Sequence, residues 1–178
     1  MISNRHCSLC LFVACAVAYC LPALAADQDA PKNGELTIEG DSAVFLQSQN
    51  RIEYSGNVIA YMDGMRISGD KVLVQMNDDR VEQITTSGSP ANFWQDVPAT
   101  DNDTEAEAQT IVYLPNSGLL ELNGGASLSQ NGNAVRGALI RYNLTLGQLE
   151  ASGDRAQERV RMRLFVPNDD AAQDSTTQ

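Results

Sequence analysis

The chain has 178 residues, with 12 Lys plus Arg against 23 Asp plus Glu and a formal net charge of −11, the size of one ordinary domain. So acidic a chain lacks the attraction that dominates binding to phosphate backbones and anionic lipid surfaces. That excludes a general nucleic-acid binder and a protein held to a membrane by basic residues.

All four cysteines, Cys7, Cys10, Cys15 and Cys20, and the single histidine, His6, fall in the first twenty residues. This segment reads as a secretory signal: Arg5 and His6 open it, an apolar run extends from Leu9 to Leu21, and Ala23-Leu24-Ala25 offers a small-x-small cleavage site. Cleavage is expected between Ala25 and Ala26. The 13 residues from Leu9 to Leu21 fall short of the roughly 20 a helix needs to cross a bilayer, which argues against an uncleaved anchor. A lipid anchor on Cys15 or Cys20 is disfavoured, because Tyr19 is too bulky to precede such a site and Cys15 lies too early in the apolar run. Removing residues 1–25 takes away one base and no acid, leaving 153 residues at a net charge of −12 without Cys or His. Disulfide scaffolds, thiolate or imidazole metal sites, Ser-His-Asp triads and Cys nucleophiles are then excluded.

Residues 26–34 are polar and are expected to be mobile. From Leu36 to Val166 the apolar residues recur mostly at every second position, the period that places one face of a strand against a core. The expected fold class is all-β, with no helix of convincing length beyond the leader, and the domain is expected over residues 35–167. Strand-like runs are Val44 to Leu46, Ile52 to Tyr54, Val58 to Met62, Lys71 to Met76, Leu119 to Leu122, Leu139 to Tyr142 and Arg159 to Val166. Gly56-Asn57, Asp63-Gly64, Gly124-Gly125 and Asn131-Gly132 are expected to be turns between short strands, and Asp78-Asp79 likewise. Residues 168–178 form a polar tail.

Carboxylates, hydroxyls, Lys and Tyr remain for catalysis, and a glycosidase-type carboxylate pair is the one enzyme class they could build. The candidates are Asp78-Asp79, better read as a turn, and the acidic stretch 96–108, where Asp101-x-Asp103-x-Glu105 faintly resembles the start of a calcium loop. It fails where such loops are specific: Ala106 stands where the turn needs Gly, and Val112 where a bidentate Glu is needed. A solvated acidic loop is the expectation, and no enzyme activity or metal site is assigned.

Self-similarity is the most informative internal feature. Gly56, Gly64 and Gly69 recur as Gly124, Gly132 and Gly137 at an offset of 68, and Ile52, Val58 and Val72 answer to Leu120, Ala126 and Ile140. Gly88 answers Gly153 at 65. Two copies of one multi-strand unit, joined by the acidic loop, predict a single elongated sheet structure. At its end, Val160, Met162, Leu164 and Val166 alternate with Arg159, Arg161 and Arg163. This strand has one apolar and one cationic face, read either as an edge protected by charge or as an edge meant to pair with a partner.

For any single aromatic, Phe45, Tyr54, Tyr61, Phe93, Trp94, Tyr113, Tyr142 or Phe165, core packing is the simpler reading. Collectively, short strands with so many Gly, Ala and Ser predict a thin interior. A sheet folded on itself but incompletely packed would leave an apolar groove suited to acyl chains, each buried methylene contributing roughly 0.8 kcal/mol. Composition permits such a groove without requiring it.

Five motifs, in order, carry a resemblance: Gly56-Asn57-Val58-Ile59, the run Ile67 to Val74, the run Gly88 to Gln95, the run Leu122 to Leu128, and Gly137 to Tyr142. Together they resemble the OstA-like family of lipopolysaccharide-transport proteins over about Leu36 to Val166. The chain departs from the family pattern at Gly124-Gly125-Ala126 and Gly137-Ala138. Within the family, the cleavable leader and the length fit the free periplasmic member rather than the anchored one or the one that continues into an outer-membrane barrel. The resemblance implies an elongated, twisted, open β-jellyroll of antiparallel strands that binds lipid A acyl chains of lipopolysaccharide in an apolar groove. It implies head-to-tail assembly with copies of itself and with inner-membrane LptC-like and outer-membrane LptD-like OstA-type domains, forming a bridge across the periplasm. It implies no cofactor. By matched position, Ile38, Phe45, Ile52, Tyr54, Phe93 and Tyr113 are implied to face the groove, and alternation adds Val58, Val72, Val74, Leu120, Leu122, Leu128, Ile140 and Tyr142. Partner edges are implied at Leu36, Thr37 and Ile38 on one side and at Val160, Met162, Leu164 and Val166 on the other. The competing class is a secreted structural or adhesive β-protein with a packed core and no lipid ligand.

Overall fold

A computed structural model describes residues 34–96, 103–154 and 159–166. The leader, its cleavage site at Ala25 and Ala26, the segment 26–33 and the tail 168–178 lie outside the described residues. Among the described residues ten strands follow in chain order: β1 (Thr37–Glu39), β2 (Ser42–Leu46), β3 (Arg51–Met62), β4 (Met65–Asn77), β5 (Arg80–Gln95), β6 (Thr104–Leu114), β7 (Leu119–Gln130), β8 (Asn133–Asn143), β9 (Gln148–Ser152) and β10 (Arg161–Arg163). The only helical element among the described residues is one 3-10 turn, Gln47–Gln49. All pairings are antiparallel within one open sheet. Six long strands, β3 to β8, pair in sequence order; β1 and β2 share the outer side of β3, and β9 and β10 share the outer side of β8.

Tight hairpins form where expected. Asp63-Gly64, Asn131-Gly132 and Asp78-Asp79 all have positive φ, which matches the twist of the strands they join. Gly56-Asn57 and Gly124-Gly125 are different: they are also at positive φ, yet they lie inside β3 and β7 as bulges, where the pairing register shifts between Ser55 and Val58 and between Asn123 and Ala126. The runs Ile52 to Tyr54 and Val58 to Met62 are therefore one bent strand of 12 residues. A bulge bends a strand and sharpens its twist while pairing continues on both sides, so a Gly pair that reads as a chain reversal serves here as a fold line.

Register shifts interrupt every adjacent pair from β3/β4 to β7/β8. Aligned across the sheet, these bulges crease it into two arms whose inner faces meet. Phe93 on one arm and Tyr113 on the other have ring centroids 6.4 Å apart, although Tyr113 lies seven positions along β6 from Ala106, the residue opposite Phe93. A straight strand would separate them by roughly 23 Å. Likewise the Tyr142 hydroxyl donates to Gln130 Oε1 at 3.1 Å across the crease.

The repeat is explicit in the pairing. Every residue pair of β1–β3, β2–β3 and β3–β4 recurs in β6–β7 and β7–β8 at an offset of 68. The fold is thus one four-strand unit used twice: β1 with β2 corresponds to β6, β3 to β7, β4 to β8, and β5 to β9 with β10. The acidic stretch corrects the sequence reading. From Thr104 onward it is β6, with Thr104, Ala106 and Ala108 buried and Glu105, Glu107 and Gln109 exposed. Its alternation was hidden because Ala carries too little apolar bulk to stand out between carboxylates. At the other end, the strand expected over Arg159 to Val166 shrinks to the three residues of β10.

Gly69 and Gly137 occupy equivalent places on the crease. A Cβ at Gly69 would lie 2.7 Å from the Ser87 carbonyl oxygen and from Thr86 Cγ2, and one at Gly137 would lie 2.9 Å from the Ser152 carbonyl oxygen. Backbone cannot give way cheaply, so Gly69→Ala is expected to destabilise the fold by about 1–3 kcal/mol, as overpacking does. The shift of the urea midpoint at unchanged slope measures it.

Candidate functional site

Paired residues of an antiparallel sheet point to the same face, so the registers define rows across the inner face. One row runs Phe45, Ile52, Val74, Ile84, Tyr113, Leu120, Tyr142, Leu149. Its neighbour on the same arm runs Ala43, Tyr54, Val72, Thr86, Ile111, Leu122, Ile140, Ala151. On the opposing arm, Ile38, Ala60, Ile67, Phe93, Ala106, Leu128, Val135 and Met162 form a third. Val58 belongs to the same buried cluster. All the residues expected on the inner face therefore share it.

Their exposure divides them. Val58, Val72, Val74, Phe93, Tyr113, Leu120, Leu122, Leu128, Ile140 and Tyr142 are buried, the least exposed of them at 0–1%. The middle of the interior is closed by packing of one arm against the other, which corrects the expectation of a thin, incompletely filled core. Residues missing from that expectation supply the difference: Ala60, Met62, Met65, Ile67, Ile84, Ala91, Ala106, Ala108, Ile111, Ala126 and Val135 are all buried on the same side. Small residues set against large ones let two creased arms approach closely, and single-sequence alternation does not reveal which strand faces which.

Toward the β2 edge the interior opens. Ile38, Ile52 and Tyr54 are half-buried, and Phe45 is 61% exposed although it shares the inner face with Ile52. Phe45 is thus not enclosed, because β2 pairs on one side only. At the other edge Met162, on the inner row through Val135, is 56% exposed, and Leu164 and Val166 are more so. The apolar interior face therefore runs out uncovered at both ends of the sheet.

The interior also holds a polar atom without a partner. Thr86 Oγ1 is fully buried in the second row and has no hydrogen-bond partner among the described residues. Buried Thr104, by contrast, accepts a hydrogen bond from Gln130 Nε2 at 2.9 Å. No group of three or more metal-ligating side chains occurs among the described residues.

The outer face is hydrophilic. Glu53 accepts from Arg51 and from Lys71, both at 2.9 Å, and its repeat equivalent Glu121 accepts from Arg141 at 2.8 Å and from Asn123 at 2.9 Å. The Lys71 bond holds the Glu53 carboxyl below its ordinary value of 4.5, and the Asn123 and Arg141 bonds do the same for Glu121. Burial, with the charge of Asp63 second, raises Tyr113 above its ordinary 10.0. A carboxyl lowered in the folded state stabilises the fold above its unfolded pKa, and that stabilisation is lost as pH falls through the folded value. Glu121→Gln is accordingly expected to lower the urea midpoint slightly at neutral pH, by an amount that shrinks as pH falls below the ordinary carboxyl value of 4.5. A difference that grows on acidification would contradict this assignment.

The family model described as LptA/(LptD N-terminal domain) LPS transport protein matches residues 37–148. The lipopolysaccharide export system protein LptH of Pseudomonas aeruginosa is 30% identical over 122 residues, 67% of each chain. The lipopolysaccharide export system protein LptA of Escherichia coli K12 is 28% identical over 145 residues, 79% of this chain and 76% of that one. A crystal structure of LptH from Pseudomonas aeruginosa, described as the LptA-homologous periplasmic component of the lipopolysaccharide transport device, superposes with a TM-score of 0.69 at 22% identity, covering 74% of this chain and 96% of that one. The open antiparallel sheet is common to both.

Proposed function

The chain belongs to the family of LptA and the LptD N-terminal domain and acts in lipopolysaccharide export, and we propose that it does so in the periplasm as a bridge between the inner and outer membranes. In this reading it is not an enzyme: it receives the acyl chains of lipid A on its inner face, leaves the sugars in water, and hands the lipid on. The observation that carries the proposal is the continuous apolar inner face whose rows end uncovered at both edges of the sheet, at Phe45 on one side and Met162 on the other. A conduit needs serial sites strong enough to keep the chains dry and weak enough to release them, and a row of similar aliphatic contacts meets both requirements.

The packed middle sets where lipid makes contact. With Leu120, Leu122 and Ile140 at 0% exposure, acyl chains engage the open side first, at Phe45, Ile52 and Tyr54. They reach Val72, Val74, Phe93, Tyr113, Leu128 and Tyr142 only as the arms part along the crease. The free edges, β1 with β2 and β10 with the residues beside it, join this chain to further copies and to LptC-like and LptD-like OstA-type domains. Among the partner-edge residues, Thr37, Ile38 and Met162 lie in edge strands and Leu36, Val160, Leu164 and Val166 flank them.

The test is photo-crosslinking to lipopolysaccharide from position 52, with outward Glu53 as control. Adducts from position 52 and none from 53 are expected. A folded protein that gives no adduct at either position would return the chain to the class of packed, lipid-free β-proteins, and equal adducts at both would overturn the inner face as the binding surface.

A further inference from the structure

The chain contains its own example of one four-strand unit joined to the next. β5, the last strand of the first unit, pairs with β6, the first strand of the second, placing Phe93 opposite Ala106, Asn92 opposite Glu107 and Ile84 opposite Tyr113. The repeat carries each of these positions to a free edge. Ala106, Glu107 and Tyr113 correspond at an offset of 68 to Ile38, Glu39 and Phe45. Phe93 and Asn92 lie opposite Ile67 and Ser68, whose equivalents Val135 and Arg136 face Met162 and Arg161. Ile84 corresponds in the same way to Leu149.

We infer that two copies of this chain join in the register of the β5–β6 junction, with Met162 opposite Ile38, Leu149 opposite Phe45 and Arg161 opposite Glu39 of the second copy, and that the Arg161–Glu39 pair sets this register. The inference rests on the edge-pairing reading above and adds to it which residues meet. Three observations support it. The junction continues the inner rows, so that Phe45 and Met162, left 61% and 56% exposed in the single chain, are covered by the row they belong to. Charge agrees as well: where the internal junction has neutral Asn92 opposite Glu107, the free edges offer a base and an acid. Finally, within one chain Arg161 lies directly opposite Arg136 on the outer face, an arrangement that like charges disfavour. No ion pair among the described residues relieves it, since those pairs use Arg51, Lys71 and Arg141. Glu39 on the free side of β10 places a carboxylate where that repulsion is greatest.

Two measurements test the register, both on variants whose thermal unfolding matches the parent. A benzophenone photo-crosslinker at position 162 is expected to label, in a second copy, the segment 36–40. By sedimentation velocity, Arg161→Glu is expected to weaken self-association about tenfold, the sum of a lost attraction and a new repulsion, and the double variant Arg161→Glu with Glu39→Arg to restore it. Crosslinks that map to β2, or an association indifferent to Arg161→Glu, would overturn the register while leaving edge pairing intact. A protein that stays monomeric at all concentrations would instead overturn the assembly reading on which the register depends.

Discussion

Phe93→Asp is expected to abolish cooperative folding, while Phe45→Asp leaves the unfolding midpoint nearly unchanged and removes lipid binding. The two phenylalanines lie on the same inner face, but Phe93 is 1% exposed and packs against Tyr113 across the crease. A carboxylate there would lose its hydration with no cation in reach. Truncating such an aromatic costs about 3–5 kcal/mol by itself, and the unpaired charge adds a further cost of several kcal/mol, a total comparable to the whole stability of a domain. Phe45 is already in water, so a charge there costs the fold within about 0.5 kcal/mol, as surface substitutions do. It does, however, place a hydrated anion at the mouth through which acyl chains enter. Circular dichroism melts alongside lipopolysaccharide binding to each variant decide the matter. Phe93→Asp that melts normally would mean that the arms are not packed at the centre. Phe45→Asp that binds lipid normally would move the entrance away from β2.

Leu122→Ala and Tyr54→Ala are expected to separate in the same sense, and they compare equivalent positions, 68 residues apart, in the two units. Leu122 is fully buried at the middle of the sheet, so its removal leaves a cavity and is expected to cost about 2–5 kcal/mol. Tyr54 lies on β3, one strand from the edge, and is only half-buried, so its removal costs the fold less and the lipid contact more. Urea unfolding and lipid binding of both variants test this. Equal destabilisation by the two would show that the β3 edge is as closed as the centre.

Much of this architecture was legible along the chain because a strand's side-chain period is two and local. Alternation marked Val72, Val74, Leu120, Leu122, Leu128, Ile140 and Tyr142, and all share the inner face. The recurrence of Gly56, Gly64 and Gly69 as Gly124, Gly132 and Gly137 marked the unit that the pairing registers repeat pair by pair. What misled was chemistry with two uses. A Gly pair at positive φ serves a hairpin at Asp63-Gly64 and a bulge at Gly56-Asn57, and nothing local tells whether the chain pairs with itself on the far side or continues. In the acidic stretch, Ala106 and Ala108 keep the period of a buried strand without its bulk, so the carboxylates beside them dominated the reading.

By itself, the sequence determined the all-β class and the repeat, since these depend on residue type and spacing along the chain, while the family came from the resemblance of its ordered motifs. Which apolar residues are sealed and which stay open was decided only by the tertiary structure. Phe45 and Tyr113 are equivalent in the repeat, yet one is 61% exposed and the other 7%. Exposure of an inner face depends on what the opposing arm and the neighbouring strand supply. β6 has a strand on each side, and β2 has its second side free.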